Sequence, residues 1–197
     1  MRTVFLLTAA LFLAAAAPAP VPEPAGLWQG AMHGNTPATL KGATVLTTDA
    51  FAKLKKQEHP LLLDVGEIPK KPKTTDASLP WMPTHRTIPG AVWIAGASSG
   101  TSNPAFAAAL KDRVADLTQK NLAHPVVVFC HPHCWGSWNV AKRLVGYGYQ
   151  HVYWYPKGVQ GWQNGHDTVV AKPDSAWQKA LAQVKLKVKE ITQRVNH

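Results

Sequence analysis

The chain has 197 residues, a formal net charge of +10 and only two cysteines. This length suits one domain with its own hydrophobic core. After the N-terminus no segment approaches the ~20 apolar residues that a transmembrane helix needs, and no nucleic-acid-binding motif is present. We therefore expect neither an integral membrane protein nor a nucleic-acid-binding protein, and the positive charge favours acidic partners.

The N-terminus has the features of a secretory signal peptide. Arg2 gives the positive start, residues 4–17 form a short apolar run, and Ala14-Ala15-Ala16 offers a small-residue cleavage site. We predict a signal peptide over residues 1–16 and a mature protein that is periplasmic or secreted. An apolar first helix is the alternative, but the Ala/Pro-rich stretch that follows would end it. Residues 17–44 are predicted to be an extended segment with Trp28 as its strong anchor.

Beyond this segment, apolar runs of strand length alternate with helical patterns. The predicted strands are residues 60–65, 92–94, 125–129 and 152–155, and the predicted helices are residues 50–57, 103–121, 137–147 and 174–195. Residues 67–87 are predicted to form a long Pro-rich loop, and residues 158–161 a turn. Because continuous apolar runs are typical of strands buried on both faces, the pattern predicts an α/β domain over residues 45–172 with a parallel sheet.

Residues 173–197 are predicted to form a basic amphipathic helix. Its apolar positions recur at spacings of four and three: Trp177, Leu181, Val184, Val188, Ile191 and Val195. Lysines occupy the other faces of the helix. The pattern could be a short coiled-coil seam or a partner surface. It contains too few heptads for a coiled coil, so we favour packing on the helix's own domain.

Four segments, in order, resemble the rhodanese family. Residues 61–65 (LLLDV) resemble its first core strand, and residues 88–92 (IPGAV) resemble its proline-glycine turn. Residues 126–130 (VVVFC) resemble the strand that ends in the active-site cysteine, and residues 148–152 with Gly158 and Trp162 resemble its closing pattern. The resemblance implies a rhodanese-like three-layer fold, in which a central parallel sheet is flanked by helices.

A subgroup of that family offers a closer resemblance. It comprises periplasmic proteins that are associated with PQQ-dependent alcohol catabolism and named for a Cys/Cys-Trp (CXXCW) motif. The similar segments are residues 36–40, the pair His85-Arg86, and residues 130–135 (CHPHCW), 137–143 and 152–156. The resemblance implies a role in support of a periplasmic quinoprotein alcohol-oxidation system. PQQ itself is not expected to bind.

Cys130 follows a buried strand and precedes a helix, which predicts an activated thiol. Backbone N–H groups of the loop and the positive end of the helix would stabilise a thiolate there, so we expect a lowered pKa. The resemblance implies that Cys130 forms a persulfide, which takes sulfur from a donor and passes it to a thiophilic acceptor. It also implies a structural role for Asp64 near the base of the loop.

Two departures from the family pattern affect this expectation. The family commonly has an arginine about five residues after the cysteine, whereas Trp135 and Gly136 occupy that stretch here, before Ser137. We expect weaker thiosulfate binding unless Arg86 or His85 supplies the charge; a merely solvated Arg86 is the alternative. Trp135 is the tryptophan that we expect to be functional, whereas Trp154 and Trp162 are expected to fill the core.

The second departure is Cys134, a thiol that could resolve a persulfide or sulfenate at Cys130. A structural disulfide is the alternative, although so short a loop adds little stability. A metal site is a further reading: Cys130, His131, His133 and Cys134 could suit copper or zinc. The side chains of so short a segment diverge, so two thiolates with a distant histidine (His85, His124 or His151) would be sterically easier.

Together these observations predict a sulfur-transfer or thiol-redox protein with Cys130 and Cys134 as its reactive residues. Small sulfur species or a thiol protein would be its partners, with an acidic periplasmic dehydrogenase or cytochrome as a further candidate. The alternative is a non-enzymatic accessory module that binds a metal or a partner.

Overall fold

The computed structural model describes residues 21–69, 71–73, 78 and 85–195. The predicted signal peptide and most of the predicted Pro-rich loop lie outside these residues. The described strands are β1 (Thr44–Val45), β2 (Leu61–Asp64), β3 (His85–Thr87), β4 (Val92–Trp93), β5 (Val126–Phe129), β6 (Val152–Tyr155) and β7 (Val169–Ala171). The described helices are α1 (Thr48–Glu58), α2 (Pro104–Leu117), α3 (Trp135–Gly146), α4 (Gly158–Gln163) and α5 (Ser175–Val195).

Five strands form a parallel sheet in the order β1-β6-β5-β2-β4. Its central strand β5 is fully buried, and it pairs with β2 in a register that places Val128 opposite Leu63. Such β-branched and leucine runs suit strands covered on both faces. The predicted parallel α/β fold is confirmed.

Helices cover both faces of this sheet. On one face α2, α3 and α5 bury a large cluster that includes Leu110, Trp138 and Trp177. On the other face α1 and α4 bury a smaller cluster around Phe51 and Trp162. The two clusters on opposite sides of one sheet give the three layers that the resemblance implies.

Several predicted boundaries differ from the structure. Helix α3 begins at Trp135 rather than residue 137, and α1 begins at Thr48 rather than residue 50, with the Thr47 side chain as its N-cap. Residues 158–161 form a helix instead of a turn, because the amide N–H of Val159 in the first turn of α4 donates to the carbonyl oxygen of Cys130 (3.0 Å). The predicted loop 67–87 ends in β3, which pairs antiparallel with β7.

Helix α5 packs on its own domain, as favoured from the sequence. Trp177 is fully buried and meets Phe106 of α2 edge to face, with ring centroids 5.7 Å apart. An ion pair between Arg113 of α2 and Asp174 (2.7 Å) fixes the start of α5. Further along the helix Leu186 and Ile191 are exposed. No helix in the described part of the chain is long and apolar enough to cross a membrane.

Residues 21–40, here termed the N-terminal strap, lie across α3. The backbone of Trp28 exchanges hydrogen bonds with the Asn139 side chain (2.8 and 3.0 Å), and the Trp138 indole N–H donates to the Thr39 carbonyl oxygen (3.1 Å). At the start of the strap the Glu23 carboxylate accepts the amide N–H of Lys41 (2.8 Å). The described part of the predicted extended segment is therefore packed along its length.

Candidate functional site

The loop between β5 and α3 is fixed by neighbours on two sides. On one side Gly158 approaches it so closely that an added Cβ would lie 2.5 Å from the Cys130 carbonyl oxygen, and its φ of +56° also favours glycine. On the other side the N-terminal strap pairs with it: Gly34 N–H donates to the His133 carbonyl oxygen, and Trp135 N–H donates to that of Met32 (both 2.9 Å). The loop therefore has little freedom to rearrange.

Three side chains of this loop converge on one point. The sulfur atoms of Cys130 and Cys134 and a ring nitrogen of His131 all lie within 4.8 Å of one another. Both cysteines are free and buried. The Nδ1 atom of His131 lies 2.8 Å from the carbonyl oxygen of Pro132, and because a carbonyl only accepts, Nδ1 is the donor in that bond. The Nε2 atom is therefore the nitrogen whose protonation can change.

The electrostatics of the group favour one thiolate, on Cys134. The pKa of Cys134 is lowered to about 4, first because it accepts a hydrogen bond from the Cys130 thiol, and then through His131 and the Ser137 backbone N–H. The pKa of Cys130 is raised by that same hydrogen bond and by burial. The pKa of His131 is raised to about 9, chiefly by its hydrogen bond with Cys134.

The prediction of a lowered pKa at Cys130 is therefore wrong. Because α3 begins at Trp135, its N-cap is Cys134, and the backbone N–H of Ser137 in its first turn stabilises a thiolate on Cys134. At neutral pH the group is a Cys134 thiolate, a protonated His131 and a Cys130 thiol that donates to the thiolate.

A cavity of about 460 Å³ opens beside this group. Cys130 and His131 line it, whereas Cys134 does not. Arg86 also lines the cavity, and its guanidinium donates to the Thr168 hydroxyl (3.0 Å). The structure therefore brings Arg86 to the site. With a protonated His131 it outweighs the carboxylate of Glu67, which also lines the cavity, so the lining has a net positive charge.

Asp64 and His85 support the floor of the cavity. The Asp64 carboxylate is fully buried; it accepts the Gly66 amide N–H (2.8 Å) and the Thr87 hydroxyl, and it pairs with His85 Nε2 (2.9 Å). The His85 ring stacks on Trp93, with ring centroids 4.1 Å apart. The resemblance-based expectation of a structural role for Asp64 agrees with these contacts.

The remaining predicted loop residues pack within the fold and do not line the cavity. Trp135 is buried and stacks on Trp28, with ring centroids 4.2 Å apart, so it anchors the N-terminal strap instead of lining the cavity. Gly136 lies against Ser98, where an added Cβ would come within 2.2 Å of the Ser98 Cβ. The Ser137 hydroxyl donates to the Cys134 carbonyl oxygen and accepts the Trp154 indole N–H (both 3.0 Å).

The suggested four-residue metal set is only partly assembled. His133 is exposed, has a φ of 58° and does not join Cys130, His131 and Cys134. Nor does His85, His124 or His151 join the group among the residues that the structure describes. The His133 ring instead lies edge-on to the His33 ring of the N-terminal strap, with ring centroids 6.4 Å apart.

The sequence-based prediction missed the N-terminal strap as part of the site. The backbone of His33 bridges that of Cys134, and its ring lies 5.2 Å from the His131 ring, centroid to centroid. These contacts join residues about a hundred positions apart, so a local sequence pattern cannot predict them. Trp28, predicted as an anchor, was the one local signal.

Comparison with known proteins identifies the family. Residues 47–165, more than half of the chain, match the model of the rhodanese-like domain. The chain belongs to the rhodanese-like domain family. Among solved structures, the crystal structure of a thiosulfate sulfurtransferase from Pseudomonas aeruginosa is similar, with 18% sequence identity and a TM-score of 0.40. The match covers 72% of this chain and 24% of that one, so this rhodanese-like chain spans about a quarter of it. No curated protein matches.

Proposed function

We propose that this rhodanese-like chain is a persulfide-forming dithiol protein. Cys130 takes up a sulfane sulfur atom, and Cys134 resolves the persulfide that results. The observation that supports the proposal is the contact between two free thiols, of which Cys130 lines the cavity and Cys134 lies behind it. Membership of the rhodanese-like family supports sulfur transfer as the general chemistry.

The reaction is written in two steps. The Cys130 sulfur attacks the sulfane sulfur of a donor; a new S–S bond forms, the donor's S–S bond breaks, and the donor leaves as an anion while the Cys130 proton passes to Cys134. After that proton is released to solvent, the Cys134 thiolate attacks the inner sulfur of the persulfide, which forms a Cys130–Cys134 disulfide and expels hydrosulfide. A thiol protein or small thiol then supplies two electrons to reduce the disulfide. Where a thiophilic acceptor takes the outer sulfur first, Cys130 is regenerated directly.

The cavity suits an anionic donor despite the absence of the family's loop arginine. Trp135 occupies that stretch and is stacked on Trp28, so it contributes no charge. Arg86 and His131 lie at the cavity and supply positive charge in its place. We expect Arg86→Gln to raise the concentration of thiosulfate needed for sulfur uptake, and to leave uptake from a neutral organic trisulfide unchanged.

Mass spectrometry of the reduced protein after incubation with thiosulfate or polysulfide tests this function. At a pH high enough to ionise Cys130, Cys134→Ser should accumulate one added sulfur on Cys130, because no second thiol resolves the persulfide. The wild-type protein should release sulfide and end with a Cys130–Cys134 disulfide, and Cys130→Ser should do neither. Absence of an adduct from Cys134→Ser at that pH, together with no release of sulfide by the wild-type protein, would refute sulfur transfer.

We also propose that the mature protein is periplasmic and supports PQQ-dependent alcohol oxidation. The predicted signal peptide and the resemblance to the CXXCW subgroup support this role. The mature N-terminus, determined by mass spectrometry of the protein from the periplasmic fraction, should begin after residue 16. A deletion strain should grow normally on succinate and poorly on ethanol; normal growth on both would contradict the role.

The partner proposed for this role is an acidic periplasmic dehydrogenase or cytochrome. The net charge of +10 and the exposed side chains of Leu186 and Ile191, which lie among the lysines of α5, support docking of an acidic surface. Binding to the purified partner should weaken steeply as salt is raised, whereas a salt-independent affinity would exclude charge-driven docking.

A further inference from the structure

The two thiols and the imidazole of the cysteine loop meet the geometric needs of a metal centre. Their ligand atoms lie within 4.8 Å of one another. Metal–sulfur bonds of about 2.3 Å and metal–nitrogen bonds of about 2.0 Å leave the ligand atoms of one ion roughly 3.5–4 Å apart. Small side-chain rotations therefore suffice to place one ion between Cys130, Cys134 and His131.

The hydrogen bonds around these side chains match those of ligated residues. His131 donates its Nδ1–H to the Pro132 carbonyl oxygen, which leaves Nε2 as the atom that can bind a metal. A ligating histidine usually donates its other ring N–H to a carbonyl or carboxylate in this way. The Ser137 backbone N–H lies at the Cys134 sulfur and offsets thiolate charge.

An entry route and a closed opposite side complete the site. Cys130 and His131 line the cavity of about 460 Å³, so an ion can approach from there. On the other side the backbone of His33 in the N-terminal strap bridges that of Cys134, whose side chain is buried. Ligand identity, ligand spacing, outer hydrogen bonds and access are the features by which a metal site is judged.

We propose that this loop binds one copper(I) ion through the thiolates of Cys130 and Cys134 and the Nε2 atom of His131. Thiolates select soft ions, and imidazole suits copper as well as zinc. Structural zinc takes four protein ligands, whereas the described residues bring together only these three, and copper(I) is stable at low coordination numbers. On binding, the Cys130 thiol and the Nε2 atom of His131 each lose a proton to solvent, two Cu–S bonds and one Cu–N bond form, and no oxidation state changes.

Copper loading and sulfur uptake would exclude each other, since both use the Cys130 sulfur. This inference goes beyond the proposed persulfide chemistry and does not depend on it. A protein that binds copper without forming a persulfide, or the reverse, is therefore a distinguishable outcome.

The test is an anaerobic titration of the reduced, metal-free mature protein with copper(I) in competition with a chromogenic copper(I) chelator. We expect one ion per chain for the wild type and loss of competitive binding for Cys134→Ser. His131→Asn should weaken affinity at least tenfold. His133→Asn is the matched control in the same loop: it is exposed and asparagine tolerates its left-handed backbone, so binding should be unchanged.

Circular dichroism of each variant separates loss of a ligand from loss of the fold. X-ray absorption at the copper edge of the loaded wild type should show two sulfur scatterers and one nitrogen scatterer, a readout that needs no variant. Copper that the chelator removes completely from the wild type, equal affinities of His131→Asn and His133→Asn, or an absorption spectrum without sulfur would each overturn the proposal.

Discussion

Cys130 and Cys134 hold one proton between them at neutral pH, and the surroundings of each sulfur determine which thiol is ionised. Cys134 accepts a hydrogen bond from the Cys130 thiol and lies at the N-cap of α3 beside His131, and its pKa is lowered to about 4. Cys130 lies at the end of β5, where burial and its hydrogen bond to Cys134 raise its pKa. Attack by Cys130 therefore requires its proton to pass to Cys134, and the singly ionised pair is the reactive form.

This shared proton predicts an unusual pH profile for alkylation. The pair remains singly ionised as pH falls to about 5, because the Cys134 thiolate is protonated only near its pKa of about 4. His131 stays protonated up to about pH 9. Iodoacetamide labelling of the metal-free protein should thus proceed at a nearly constant rate between about pH 5 and pH 8.

In Cys134→Ser the labelling rate should instead rise with pH across this whole range, because Cys130 then has no thiolate to accept its proton and burial raises its pKa. A rate that rises with pH in the wild type as well would show that Cys134 is not ionised at neutral pH.

Gly136 and Gly146 of α3 offer a matched pair of substitutions. In Gly136→Ala the new Cβ would lie 2.2 Å from the Cβ of Ser98, and such overpacking costs about 1–3 kcal/mol. Gly146 has no atom within 4 Å of an added Cβ, so Gly146→Ala gains helix propensity of up to about 1 kcal/mol. Chemical denaturation should give free energies of unfolding that change in opposite directions. Equal effects would mean that the first turn of α3 does not pack on Ser98.

The N-terminal strap holds the cysteine loop on both sides of Cys134. Its residues Met32 and Gly34 hydrogen-bond on either side of Cys134, to Trp135 and His133. Trp28 secures the strap through its stacked contact with Trp135 and its hydrogen bonds to Asn139. The strap thus fixes where α3 begins, and through that start it fixes the environment of Cys134.

Trp28→Ala should loosen this strap without unfolding the domain. The stacked pair contributes about 0.5–1.5 kcal/mol, so its loss should speed hydrogen exchange at the Gly34 and Trp135 amides by up to roughly tenfold. Leu122→Ala, at an exposed site, is the control and should leave both amides unchanged. Unchanged exchange in Trp28→Ala, measured by NMR, would show that the strap is held by other contacts.

The same elements show how far the sequence could predict the structure. Strands β2, β5 and β6 are continuous apolar runs, and the sequence predicts them because burial on both faces leaves that pattern. Strands β1 and β3 have at most one apolar residue each, and the three apolar residues of β7 are too few to predict a strand, so these strands are defined by their partners. Likewise, the motif identifies both cysteines, but which one ionises depends on their mutual hydrogen bond and on the contact with His131, which only the folded loop forms.

At the scale of the molecule, α5 belongs to the main core. Trp177, Leu181 and Val184 are buried in the same cluster as the inner face of the sheet. The Trp177 indole N–H donates to the Ala95 carbonyl oxygen (2.9 Å), and the Asp174 amide N–H donates to that of Trp93 (2.8 Å). These contacts attach the helix to β4 and to the segment after it. Helix α5 therefore covers part of one face of the five-stranded sheet, and the domain needs it to bury that face.

Two truncations distinguish the contribution of the buried start of α5 to stability from that of its exposed end. Removal of residues 174–197 takes a buried tryptophan, leucine and valine from the core, and loss of a buried tryptophan alone costs about 3–5 kcal/mol. Because domains are stable by only about 5–15 kcal/mol, we expect this shorter chain to lose its cooperative thermal transition. Removal of residues 191–197 is the matched control: it takes away Ile191, which is 63% exposed, so the melting temperature should change little. A cooperative transition in the shorter chain, at a temperature close to that of the control, would show that sheet, α2 and α3 form a stable core without α5.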